Sequence, residues 1–374
     1  MSDDLPDISI PADLLPGDGR FCSGPSKVRP EGLEALVATG QTYLGTSHRQ
    51  AGVRFMVAHL RNLLAELFAL PDGWEVVLGN GGTHAFWDAA IFGLIEEKSQ
   101  HLAHGEFSSK FAKQVAAAPH LAAPSIIESD PTTHPEPVAE DGVDVYAQTH
   151  NETSTGVAFT PVRPAGAEGI VAVDATSAAA GLRWDPSQVD VYYFAPQKGL
   201  GSDGGLWIAC CSPAALERIE RISTSDRWIP GFLDLQAAVD NSRKDQTLNT
   251  PALATIFLAA HQAEWFCNNG GLEWSAGRCD RSAEIIYGWA ESTAYTTPFV
   301  PDPAKRSHVV ATIDLDESID APTVSNVLRA NGVQDTESYR KLGRNQLRIA
   351  TFPHVEPDDV AALTACVDFV VDAL

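Results

Sequence analysis

Between residues 74 and 212 the chain returns repeatedly to one two-part unit: a short, largely apolar run, then a turn and a stretch with helical spacing. The runs cover 74–80, 101–104, 143–150, 169–176, 189–196 and 205–212. Apolar strands with no polar alternation need cover on both faces, which predicts a mostly parallel sheet between helical layers. Helices are expected from about 81 to 97 and from 108 to 118. Upstream, Val53, Met56, Val57, Leu60, Leu63, Leu64 and Leu67 recur at helical spacing over 52–68.

The pattern changes after about residue 259. A long helical region over 255–289 leads to a strand at 309–315 and a helix at 321–331. A strand at 346–352 and a helix at 357–374 follow. The chain therefore reads as α/β: a large, mostly parallel sheet domain (23–262), a smaller C-terminal α+β domain (263–374), and an N-terminal arm (1–22). In such a layout ligands collect at the carboxyl ends of parallel strands and at the domain seam.

Charge narrows the ligands. Lys and Arg number 26 against 49 Asp and Glu, a formal net charge of −23, which argues against nucleic acid as a partner. It leaves room for a small anion held by local arginines. No apolar run is long enough to cross a bilayer. The acidic, proline-bearing start has no basic n-region, so the expected location is the cytoplasm. Cys22, Cys210, Cys211, Cys267, Cys279 and Cys366 form no C-x-x-C pair and no zinc spacing; reduced, packed thiols and no metal are expected.

Three strand ends carry chemistry. In the segment from Tyr193 to Gly205 an apolar strand delivers Lys198 onto a glycine-rich turn, where a lysine is costly to bury unless neutral or covalently modified. Asp174 closes the strand before it, 24 residues upstream. A carboxylate there can pair with a protonated ring nitrogen, or merely cap the next turn. Gly79-Asn80-Gly81-Gly82-Thr83 leads from a strand into a helix, whose first amides and dipole favour one anionic group. This stretch matches neither the Walker nor the dinucleotide pattern.

In order and spacing, these strand ends resemble those of the fold-type-I pyridoxal-phosphate enzymes. Within them the chain is similar to the class V aminotransferases, on the branch that makes phosphoserine. The markers are Phe21-Cys22-Ser23-Gly24-Pro25, Ser47-His48-Arg49, His150-Asn151-Glu152-Thr153, Gln197-Lys198 and Leu248-Asn249-Thr250-Pro251. The resemblance implies pyridoxal 5'-phosphate as cofactor, with Lys198 holding it covalently and moving protons. Asp174 would sit on the pyridine nitrogen, Thr153 near the phenolic oxygen, Gln197 beside the ring or phosphate, and Gly82 and Thr83 at the phosphate. Phe107 stands where the family usually stacks a tryptophan, and Thr83 where many relatives carry arginine.

Asn249 and Thr250 match residues that reach the phosphate from a neighbouring subunit, which implies a homodimer. His48, Arg49 and Arg348 match substrate-binding cations. Arg340, Lys341 and Arg344 compete for the position that meets a substrate phosphate. The implied reaction joins L-glutamate and 3-phosphohydroxypyruvate to phosphoserine and 2-oxoglutarate, a step of serine biosynthesis. Competing readings are an alanine–glyoxylate or serine–glyoxylate aminotransferase, a cysteine desulfurase, and a cofactor-free binding protein on the same fold. His84, His104 and His150, near the same strand ends, are expected in structural roles.

Overall fold

The computed structural model describes residues 5–374. Helices α1 (Pro30–Ala38) and α2 (Ala51–Leu67) lead into β1 (Glu75–Asn80), α3 (Thr83–Gly93), β2 (Ser99–Ala103), α4 (Glu106–Ala116) and β3 (Ser125–Glu128). Next come β4 (Val145–Thr149), a small ribbon of β5 (Asn151–Glu152) and β6 (Val157–Ala158), then β7 (Ile170–Asp174), β8 (Val191–Phe194) and β9 (Leu206–Cys211). After α5 (Pro213–Ser223), α6 (Leu235–Ser242), α7 (Leu253–Asn268) and α8 (Gly271–Ser292), the chain adds β10 (Thr296–Pro298) and β11 (Val310–Leu315). It ends with α9 (Ala321–Ala330), β12 (Gln346–Ala350) and α10 (Pro357–Ala373).

Seven strands form one sheet in the order β1-β9-β8-β7-β4-β2-β3. Only β9 runs against its neighbours; the other pairings are parallel. Strands β1, β8, β7, β4 and β2 therefore all bring their carboxyl ends to one edge. Every residue of β2, β4, β7, β8 and β9 is buried, as strands covered on both faces require. One face packs on α2 and α7 through Leu60, Leu64 and Phe266, and the other on α3, α4 and α5 through Phe86, Phe111 and Ile219.

Two expected helices end early. The one expected to reach 97 stops at Gly93, because the amides of Glu96, Glu97 and Lys98 are drawn off to the Asp144 carboxylate at 2.9, 2.7 and 2.8 Å. The helical region over 255–289 is two helices. Gly270 and Gly271 both have positive φ (119° and 66°), which ends α7 and reorients the chain into α8. The expected domain boundary at 262/263 lies inside α7, which packs on α2, whereas α8 has α10 as its main partner.

The smaller unit is an antiparallel sheet, β10-β11-β12, with α8, α9 and α10 around it. The described part of the expected arm lies on this unit. Ile10 and Phe21 belong to its core, the Ile10 amide donates to Asn331 Oδ1 at 2.9 Å, and the Gly17 amide to Asp359 Oδ1 at 2.8 Å. Residues 1–4 lie outside the described residues.

Candidate active site

A cavity of about 450 Å³ opens where the carboxyl ends of β1, β4, β7 and β8 face the smaller unit. Lys198 stands on its floor. Its turn is pinned from a distance of more than 170 residues: the Ser26 amide donates to Gln197 O at 2.8 Å and the Ser26 hydroxyl to Lys198 O at 2.7 Å. His354 Nε2 lies 3.1 Å from the same hydroxyl. Gly199 packs so tightly that a Cβ would stand 2.1 Å from Ala179 O. The half-buried lysine side chain lines the cavity, and burial holds its pKa down to about 8. It donates to Thr153 Oγ1 at 2.9 Å and lies 5.2 Å from the centre of the Phe107 ring.

Asp174, 5% exposed, ends β7. Oδ1 accepts from the Thr176 amide (2.9 Å) and hydroxyl (2.6 Å), and Oδ2 from the indole N–H of Trp87 (3.1 Å). Burial raises its pKa, while the Thr176 bonds, the Lys198 charge and Trp87 pull it back. A carboxylate so placed is stabilised by a cation brought to it.

The start of α3 forms the next wall. Gly82 is its N-cap, and the amides of Gly82, Thr83 and His84 donate to no acceptor among the described residues. A Cβ on Gly82 would meet nothing within 4 Å, and Gly82, Thr83 and His84 all line the cavity. Phe107 is held by Glu152, a marker residue to which the sequence assigns no role. The fully buried Glu152 carboxylate accepts from the amides of Phe107 (3.1 Å) and Ser108 (3.0 Å) and from the hydroxyls of Ser108 (3.0 Å) and Ser154 (2.6 Å). An anion at the first turn of α4 suits the helix dipole and fixes the ring's position.

Arg348, on β12, brings a cation from the smaller unit. Its guanidinium lies over the Tyr339 ring, 5.4 Å from its centre, and Nη1 donates to Thr153 O at 3.4 Å. Its Nε is buried without a partner. Lys341 pairs with Glu106 and Arg344 with Asp314, while Arg340 makes no ion pair among the described residues. Arg340 is exposed and outside the cavity wall.

Lys198, Asp174, Gly82, Thr83, Phe107, Thr153, Gln197 and Arg348 thus meet around one cavity. His48, Arg49, Asn249 and Thr250 do not line it. They form a separate surface group in which Thr250 Oγ1 lies 3.2 Å from His48 Nδ1, and Asn80 Nδ2 donates to Asn249 O and Thr250 O. His84 lines the cavity; His150 is buried with Nδ1 3.1 Å from the Tyr192 hydroxyl, and His104 is buried with neither ring nitrogen partnered. Sequence reasoning also missed Trp87 and Thr176. The first was findable, since Thr83 and Trp87 are four apart on α3 and share a face.

The residues present fit pyridoxal phosphate. The cavity offers a neutralisable lysine, a buried carboxylate suited to a cation, and helix-start amides in its wall with no acceptor among the described residues. Gln197 Oε1 and Asn151 Oδ1, both in residues of its wall, are buried without partners. Its volume suits a ligand of that size with a substrate. No metal-binding group of three or more His, Cys, Asp or Glu occurs among the described residues.

The chain is similar to known proteins over most of its length. Residues 21–336 match the family model described as aminotransferase class-V. The chain is 60% identical over 370 residues to a phosphoserine aminotransferase of a Nocardioides species, covering 98% of this chain and 99% of the other. It is 58% identical over 366 residues to one of Rhodococcus jostii, covering 98% of each. Among solved structures, a phosphoserine aminotransferase from Cytophaga hutchinsonii superposes with a TM-score of 0.87 at 20% identity, over 94% of this chain and 99% of that one, which establishes the shared fold. The chain belongs to the class V aminotransferases, among the phosphoserine aminotransferases of that family.

Proposed function

We propose that the chain transfers an amino group reversibly from L-glutamate to 3-phosphohydroxypyruvate, giving O-phospho-L-serine and 2-oxoglutarate, a step of serine biosynthesis. The observation that carries this is the match, near 60% identity and over almost the whole length, to phosphoserine aminotransferases. The cavity supports it with a lysine, a buried carboxylate and an arginine with an unpartnered Nε in one place.

Pyridoxal 5'-phosphate, when bound, supplies a carbonyl that links to amines and a ring that withdraws electrons from the substrate. Lys198 would anchor it and, as a base of lowered pKa, take the proton from the Cα of the amino donor and return one to the product. Asp174 would hold the ring N–H and keep that nitrogen positive. Phe107 would cover one ring face, Thr153 and Gln197 would hydrogen-bond its periphery, and the Gly82 and Thr83 amides would receive the phosphate. Arg348 would grip the substrate carboxylate by two parallel hydrogen bonds, as only a planar guanidinium can.

The same proposal makes the enzyme a homodimer with shared sites. In it the group His48, Arg49, Asn249 and Thr250 of one subunit completes the cavity of the other, and Arg340 meets the substrate phosphate. Exposed apolar side chains on α1 and α2, Val37 and Phe55, support a buried interface on that side. A cytoplasmic location belongs to the proposal too. Six unpaired cysteines suit a reducing compartment, and no helix among the described residues is long and apolar enough to cross a membrane.

The test is a paired assay of the purified enzyme. Phosphoserine with 2-oxoglutarate should turn over far faster than alanine with glyoxylate, and the reverse preference would overturn the reading. Lys198→Ala should lose both the absorbance of lysine-bound cofactor and turnover, the latter on the order of 10²–10⁴-fold.

A further inference from the structure

Thr83 faces the cavity from the first turn of α3, where a hydroxyl invites assignment as a phosphate donor. The hydrogen bonds around it run the other way. Thr83 Oγ1 lies 2.7 Å from Thr176 Oγ1, and Thr176 Oγ1 lies 2.6 Å from Asp174 Oδ1. An ionised carboxylate only accepts, so the single hydrogen of the Thr176 hydroxyl goes to Asp174. Thr176 must then accept from Thr83, and the single hydrogen of Thr83 is committed as well. What remains on Thr83 Oγ1 is lone pairs, and phosphate oxygens at neutral pH offer little hydrogen in return. The phosphate is left to the free amides of the turn.

We infer that Thr83 is a positioning residue for Asp174: it is the outer member of a Thr83→Thr176→Asp174 hydrogen-bond relay and does not donate its hydroxyl to the cofactor phosphate. Each donor in such a chain polarises the next, so Thr83 strengthens the Thr176–Asp174 bond and helps keep the buried carboxylate charged. Together with the Trp87 indole on Oδ2, the relay holds both carboxylate oxygens in place. In the sequence, Thr83 belongs to the phosphate-binding turn; in the fold it serves the opposite end of the cofactor.

The inference rests on the proposal that pyridoxal phosphate occupies this cavity with its ring nitrogen at Asp174. Binding to apoenzyme separates the two. Wild type, Thr83→Val, Thr83→Ser and Thr176→Val are titrated with pyridoxal 5'-phosphate, with pyridoxal lacking the phosphate, and with inorganic phosphate, followed by intrinsic tryptophan fluorescence. Thr83→Val should weaken both pyridoxal forms by the same factor, about three- to tenfold, and leave inorganic phosphate binding unchanged. Thr83→Ser should restore wild-type values. The double variant Thr83→Val/Thr176→Val should bind no worse than Thr176→Val alone, because the two residues act in series. Loss confined to the phosphate-bearing probes, no loss with any probe, or additive losses in the double variant would each overturn the relay. Should Thr83→Val fail to fold, Thr83→Ala makes the same comparison. Wild type that binds neither pyridoxal form would refute the cofactor assignment itself.

Discussion

The Cα of Gly24 lies against the side chain of Lys198: a Cβ built on Gly24 would stand 2.6 Å from Lys198 Cε. Gly24 also has φ of +139°, a backbone conformation that L side chains rarely adopt. The N-terminal marker motif therefore forms one wall of the lysine's channel. Gly24→Ala should displace the lysine and cost roughly 1–3 kcal/mol of stability. Urea unfolding and the absorbance of lysine-bound cofactor would read these two effects separately. An alanine variant with wild-type spectrum and stability would show that the channel has slack.

Glu152 holds the first turn of α4 and with it Phe107. Glu152→Ala leaves two amides and two hydroxyls without their acceptor, at a cost of about 1–3 kcal/mol or more. Glu152→Gln keeps the shape but not the charge at the helix start, and should fall between. The expected signature beyond stability is a changed spectrum of bound cofactor as Phe107 loosens.

The pH dependence of stability has two separable arms. Burial holds His101, His150 and His354 down to about 3, against about 6.5 unfolded. Below pH 6.5 the unfolded chain takes up protons that the folded chain refuses, so stability falls progressively toward pH 3. His354→Gln should flatten that acid slope in urea midpoints measured from pH 7 to 4. Lys198, held at about 8 against 10.5, acts on the alkaline side. There the unfolded chain binds the extra proton, so apoenzyme stability from this group rises between pH 8 and 10.5. Apo Lys198→Met should be more stable than wild type at pH 7 by up to about 3 kcal/mol, a difference that shrinks by pH 10.5.

Arg348 presents a partly buried guanidinium with an unpartnered Nε. Arg348→Ala should raise KM for both amino donor and keto acid by about 10- to 100-fold. Arg348→Lys should rescue little, since an ammonium cannot make the two parallel bonds. Unchanged KM for either substrate would place its carboxylate elsewhere.

A shared site predicts complementation. Lys198→Ala and Arg49→Ala, each nearly inactive alone, should form hybrid dimers with one intact site after co-refolding. About a quarter of wild-type activity is expected when half the dimers are hybrids. No recovery from verified hybrids would put Arg49 in its own chain's site.

The sequence alone determined the layered sheet, the order of its chemical strand ends and the residues that carry them. An apolar run fixes a buried strand, and the turn that ends it fixes where Lys198 or Asp174 must emerge. These are local properties of spacing and backbone freedom. The long helical periodicity over 255–289 misled for the same reason: it records which face is buried, and the break came from the Gly270-Gly271 pair, which periodicity does not weigh. Tertiary structure decided the partnerships. Trp87 reaches Asp174 across 87 residues, Ser26 pins Lys198 across 172, and Lys341 and Arg344 are drawn to Glu106 and Asp314 while Arg340 stays free of ion pairs among the described residues. It also set the Thr83 hydroxyl 2.7 Å from that of Thr176, which in turn donates to Asp174. The direction of a hydrogen bond depends on what lies beyond both partners, and only the packed chain brings those groups together.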